Sequence, residues 1–176
     1  MTVMTEPLPL LQRLNKAGYN IRSLDDEIRV DKLCIDLLRR LNQELTRQSG
    51  KASEQAGEIC HGADYFLREF IIGECCENLF AIEAIRVRQF AGHWYIIRTT
   101  EPNLKELKSI LSGTEEIYRI LLRQCLISDV SANKITSQCQ ELDYYQQRIE
   151  EFWAIEGDGY DAWRQACPLQ SIPEQS

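Results

Sequence analysis

The sequence predicts an all-α protein: an antiparallel four-helix bundle with a short N-terminal helix and an extended connector between helices two and three. Three observations lead there. Apolar residues recur at three-and-four spacing through most of the chain, the stripe of an amphipathic helix. Helix-start and helix-stop residues punctuate that pattern at intervals suited to long helices with short links. With 176 residues, 44% of them hydrophobic, the chain is long enough to bury one core without disulfides or metal.

Leu8, Leu10, Leu11 and Leu14 predict the short first helix, which stops at Gly18 because glycine readily takes the left-handed conformation of a helix end. Ser23, with Asp26 and Glu27 behind it, reads as an N-cap followed by acids that suit the positive end of a helix dipole. Ile28, Val30, Cys34, Leu37, Leu38, Leu41 and Leu45 then carry helix one to about residue 48. A turn from Ser49 leads to a new cap at Ser53. Ala56, Ile59, Cys60, Ala63, Phe66, Leu67 and Phe70 continue the period, so helix two is expected to run to Phe90 with a bend near Gly73. A mid-helix glycine costs about 1 kcal/mol relative to alanine, which calls for a geometric reason. Gly57 and Gly62, with Ala56, Cys60 and Ala63, give the same helix a small-residue edge where another helix or a second subunit can approach.

Ala91-Gly92 is the next stop. His93-Trp94-Tyr95-Ile96-Ile97 has the composition of a strand but no partner strand, and is read as an extended connector packed on the bundle. Asn103 and Glu106 are spaced as a capping box, and Leu107, Leu111, Thr114, Tyr118, Leu121 and Cys125 form the seam of helix three. Ser128-Asp129 caps helix four, where Ile135, Gln138, Leu142, Tyr145, Ile149 and Phe152 keep that spacing and make a hairpin with helix three. Gly157 and Gly159 end it, and Tyr160 to Ala166 adds a last turn. The division is one helical domain over 1–167 and a flexible tail over 168–176 that holds Pro168 and Pro173.

A formal charge of −7 argues against a phosphate backbone or an anionic membrane face as partner, so neither nucleic acid nor membrane is expected. The start has no basic region before an apolar run, and no uncharged stretch reaches the roughly 18 residues of a membrane span. A cytoplasmic location follows. There, seven cysteines, an odd number without a CxxC pair, are expected to be mostly buried free thiols.

The stretch from Phe66 to Arg98 holds the anomalies, for it sets carboxylates, paired cysteines and a glycine on an apolar helical face. Glu69, Glu77 and Glu83 fall beside phenylalanines on a helical wheel. A dry carboxylate must pair, bind a metal or take up a proton, so these three are candidate ligands for a divalent metal or a polar molecule. The competing reading turns them to the rim, paired with Arg86, Arg88, Arg119 or Arg123. Cys75 and Cys76 diverge by about 100° around a helix and do not chelate one ion together. Glu58-x-x-His61 has the spacing of the Glu-x-x-His motif of di-iron bundles, yet with two histidines in the chain no second copy exists. It stands as a weak metal candidate on a solvated face. Glu74-x-x-Glu77 resembles the first metal motif of the all-α nucleotide pyrophosphatases, but no Glu-x-x-Asp follows and that family is set aside.

From Ala84 to Thr100 the chain carries Arg86, Arg88, His93 and Arg98 without an acid, whereas Glu141 to Asp161 is acid-rich around a lone Arg148. The two regions are expected to attract. With Trp94 the basic segment also offers a surface for an acidic partner or a small anion. The function expected is that of a non-enzymatic accessory or adaptor protein that works through protein contacts and forms a homodimer. The alternative is a metal- or polar-ligand-binding bundle, an enzyme included, that uses the carboxylates of helix two.

Overall fold

The computed structural model describes residues 14–48 and 52–167, so the expected helix over Leu8 to Leu11, most of the turn before Ser53 and the tail over 168–176 lie outside the described residues. Among the described residues the structure is helical, with no strand and no helix long and apolar enough to cross a membrane. A 3-10 turn, Lys16–Tyr19, precedes α1 (Leu24–Gln48). Helix α2 (Ser53–Asp64) continues as a π-helical stretch, Tyr65–Ile72. Helix α3 starts as Ile85–Gln89, widens to a π-helical stretch, Phe90–Trp94, and ends as Tyr95–Arg98. Then come α4 (Leu104–Arg123), α5 (Asp129–Cys139), α6 (Leu142–Trp153) and α7 (Tyr160–Gln165).

Helix α1 begins where the cap residues require. Ser23 Oγ accepts from the Asp26 N–H at 3.2 Å, and the Arg22 N–H donates to Asp26 Oδ2 at 3.0 Å. Val30, Cys34, Leu37, Leu38, Leu41 and Leu45 are buried as the period demands, while Ile28 faces outward. Arg68 on α2 grips both oxygens of Asp31 on α1, at 2.6 and 3.1 Å, and Asp64 at 3.1 Å, which fixes the α1–α2 register. On the other side of α2 the small-residue edge receives α4. A Cβ on Gly62 would stand 2.8 Å from the Ser109 carbonyl oxygen, and one on Gly113 would stand 2.4 Å from that of Ile59. The glycine edge thus lets two helices of the same chain touch backbone to backbone, and the matched pairs 62 with 110 and 59 with 113 run antiparallel.

Three expected boundaries are corrected. Helix two ends at Ile72, not Phe90, because hydrogen bonds to the fifth residue back, Gly73 N–H to Arg68 at 2.9 Å and Cys75 N–H to Phe70 at 2.8 Å, unwind it. Cys76 then takes a left-handed conformation (φ 52°). Asn78 holds the turn: its amide donates to the Lys16 carbonyl at 2.9 Å and to Asn20 Oδ1 at 2.8 Å, and its oxygen accepts from the Phe80 N–H at 3.0 Å. Secondly, residues 93–97 are not an extended connector but the second half of α3, with His93, Trp94, Tyr95 and Ile96 buried. A buried lone strand would leave its N–H and C=O groups without partners, whereas a helix satisfies them internally, and that outweighs the strand-like composition.

Thirdly, the expected helix four is two helices broken at Gln140–Glu141, where the Leu142 N–H bonds the Gln140 carbonyl at 2.8 Å. Tyr145 Oη donates to the Gln138 carbonyl at 2.7 Å and so satisfies the end of α5. The capping box at α4 has an added member. Asn103 Oδ1 accepts from the Glu106 N–H at 2.9 Å, and the return contact runs through Tyr95, whose hydroxyl accepts from the Asn103 N–H at 3.3 Å and donates to Glu106 at 2.8 Å. One continuous core joins the elements from Tyr19 to Trp163.

Candidate functional site

The two π-helical stretches meet at an aromatic cluster: Phe90 lies 5.2 Å from Phe66, 5.5 Å from Phe70 and 5.7 Å from Trp94 between ring centroids. Edge, tilted and stacked contacts of this kind fix ring positions as well as burying area. The cluster anchors one face of α3. What the other faces carry is set by its basic residues and by the helices against them.

At the start of α3, Arg86 is buried and its Nε lies 3.1 Å from each oxygen of Glu77, while Nη1 donates to Gln89 Oε1 at 2.8 Å. The Glu77 carboxylate holds the guanidinium more firmly protonated than usual, against the opposing effect of burial. An ion pair at the rim of the turn is therefore what the structure makes of Glu77. Glu69 and Glu83 are exposed. The described residues contain no group of three or more His, Cys, Asp or Glu placed to hold a metal ion. Glu58 and His61 both face outward on α2.

Five cysteines, Cys34, Cys60, Cys75, Cys139 and Cys167, are buried, and none of the seven is in a disulfide. Burial pushes the Cys75 thiol up to about 12 and the Cys60 thiol up to about 11, so neither is a ready nucleophile.

Farther along, α3 meets α6 and α7, the contact expected from the charge asymmetry, but stacking rather than carboxylates makes it. The Arg88 guanidinium lies 3.7 Å over the Tyr144 ring. Gly92 leaves room for that ring, since a Cβ there would come within 3.1 Å of Tyr144 Cε1. His93 stacks on Trp163 of α7 at 5.1 Å, and the Arg148 guanidinium of α6 lies 4.0 Å over that same indole. Arg148 Nε donates to the Gly92 carbonyl at 2.9 Å, inside the π-helical stretch, and Trp163 Nε1 donates to the Arg148 carbonyl at 3.0 Å. Burial first, then Arg148 and Arg164, lower the His93 pKa to about 4. Its imidazole is neutral at pH 7, in a setting whose nearby charges are mostly positive.

Trp94 is buried rather than displayed, with Arg98 5.5 Å over its ring and paired to Glu74 at 3.2 Å. Of the basic surface expected from the sequence, Arg98 alone is exposed, Arg88 is half-buried, and Arg86, His93 and Trp94 are interior. Arg148 and Trp163 are the residues sequence reasoning missed. A signal for Arg148 existed: it occupies the inward stripe of α6 with Tyr145, Ile149 and Phe152, where an arginine is out of place unless it has work there.

A shallow polar groove lies at the α5–α6 break, lined by Ser137, Gln140, Glu141, Leu142 and Asp143. Comparison of the chain with family models, with curated proteins and with solved structures gives no match.

Proposed function

We propose that this protein is a non-enzymatic, cytoplasmic helical-bundle protein that works through protein contacts, of the accessory or adaptor type, and that it self-associates as a homodimer. The reading takes α1, α2, α4 and the α5–α6 pair as the antiparallel members of the bundle. The observation that carries it is the outer face of α1, where Leu24 and Ile28, one turn apart, are 70% and 48% exposed. Large apolar side chains next to one another on a helix surface are the start of a contact patch, and Arg29 and Asp26 beside them supply a polar rim. A ligand site built on Glu69, Glu77 and Glu83 has less support, because Arg86 engages both Glu77 oxygens.

Sedimentation velocity tests the reading directly. The protein is expected to sediment as a dimer at micromolar concentration, and the double variant Leu24→Glu/Ile28→Glu as a monomer with unchanged helical circular dichroism. A monomeric parent protein at all concentrations would refute self-association. A dimer that survives the double substitution would remove α1 from the interface.

A further inference from the structure

We propose that Arg148 and His93, roofed by Trp163 of α7, form a binding site for a small oxyanion, a carboxylate or a phosphate. The starting point is an arginine that is 2% exposed yet only partly engaged. Its Nε is bonded to the Gly92 carbonyl, but Nη1 and Nη2 are buried and make no hydrogen bond. Glu151 Oε2 forms a long ion pair with Nη1 at 3.8 Å, outside hydrogen-bond range and from a side chain 46% exposed to solvent. His93 Nδ1 is likewise buried without a hydrogen-bond partner.

These groups share one platform. Arg148 and His93 both lie against the Trp163 indole. Arg164, on the same helix as Trp163, and Arg88, which acts on Cys167 together with Arg148, add positive charge around them. A buried guanidinium is costly unless an anion meets it, and its two terminal nitrogens match the paired oxygens of a carboxylate or phosphate. A neutral imidazole can supply a further N–H without adding a second buried charge.

Access is provided by α7. This six-residue helix follows Gly157, which adopts a left-handed conformation (φ 58°), and Gly159, and Trp163 is its inward anchor. The oxyanion enters as α7 swings outward about the glycines, and the indole closes over it. The site is separate from the α1 face and stands whether or not the protein dimerises.

The test uses the full chain labelled with 15N. Inorganic phosphate and, in a second arm, acetate replace chloride at fixed ionic strength, and the Trp163 indole N–H resonance is followed. The expected result is a saturable shift with at least one of the anions, and the responding arm identifies the class. Apparent Kd should rise at least tenfold in Arg148→Lys, which keeps the charge and loses the fork, and severalfold in Arg164→Gln, an exposed position that leaves the fold intact. Linear, non-saturating shifts in both arms would overturn the proposal. So would equal affinity in the parent and in Arg164→Gln together with Arg148→Lys or, should that variant misfold, His93→Gln.

Discussion

Cys76 and Cys125 are the two described residues other than glycine with positive φ, at 52° and 57°. Cys125 closes α4: its own N–H bonds the Leu122 carbonyl at 2.8 Å and the Leu126 N–H bonds the Leu121 carbonyl at 2.9 Å. This is the position where glycine is usual, since a Cβ in the left-handed region costs about 1 to 2 kcal/mol. Because Cys125 is exposed, its side chain returns little packing. Cys125→Gly should therefore stabilise the protein by about 1 kcal/mol, the relief of strain outweighing the extra freedom of the unfolded chain. Urea denaturation checks this, and a midpoint that stays put or falls would contradict it. The heptad spacing that assigned Cys125 to the seam of helix three was right up to Leu121, one turn earlier. A periodic pattern records which face is apolar but not that the backbone reverses its hand. Glu77 was legible in part: its pairing with an arginine was one of two readings open from the sequence, and the turn that brings Arg86 to it was not visible.

The elements show a similar division between local and tertiary control. Helix α1, the cap at Ser128 and the capping box of α4 were legible because short-range hydrogen bonds and an uninterrupted apolar stripe agree there. Glu74 to Ala84 was not, because it contains neither glycine nor proline and is pinned by Asn78 to the distant 3-10 turn. The gap between α5 and α6 likewise lacks a breaker residue. The small-residue edge of α2 was seen, but its user was not: α4 contributes Gly113, and the two helices meet there within one chain. The consequence is a sharp contrast between glycines. Gly113→Ala would press a methyl against the Ile59 carbonyl oxygen at 2.4 Å and the Ala63 nitrogen at 3.0 Å, both backbone atoms that cannot rotate away. It should cost about 2 to 3 kcal/mol by forcing α2 and α4 apart. Gly57→Ala, on the same helix but off that contact, meets nothing within 4 Å and should gain up to about 1 kcal/mol from helix propensity. Thermal unfolding of both variants decides the matter, and equal effects at the two positions would show that α2 and α4 do not cross through Gly113.

At the scale of the whole molecule, α3 is packed between α2 and the C-terminal helices α6 and α7. It presses aromatic rings into α2 on one face and sets His93 beneath α7 on another. Its burial makes global stability sensitive to mild acid. His93 has a folded-state pKa of about 4, below its ordinary value of 6.5, because burial and the facing Arg148 and Arg164 oppose a further positive charge. Protons thus bind the unfolded chain first. The stability this group contributes is fully present above pH 6.5 and is lost as the pH falls from there toward 4. At pH 5 the loss attributable to His93 should be on the order of 2 kcal/mol. His61, by contrast, is exposed on α2. Other groups also change charge as the pH falls, so the quantity to measure is a difference. The unfolding free energy should fall more steeply between pH 7 and pH 5 in the parent protein than in His93→Gln, which cannot take up the proton. Parallel stability curves for the two proteins would mean that the imidazole is already solvated in the folded state, and that α7 spends much of its time away from α3.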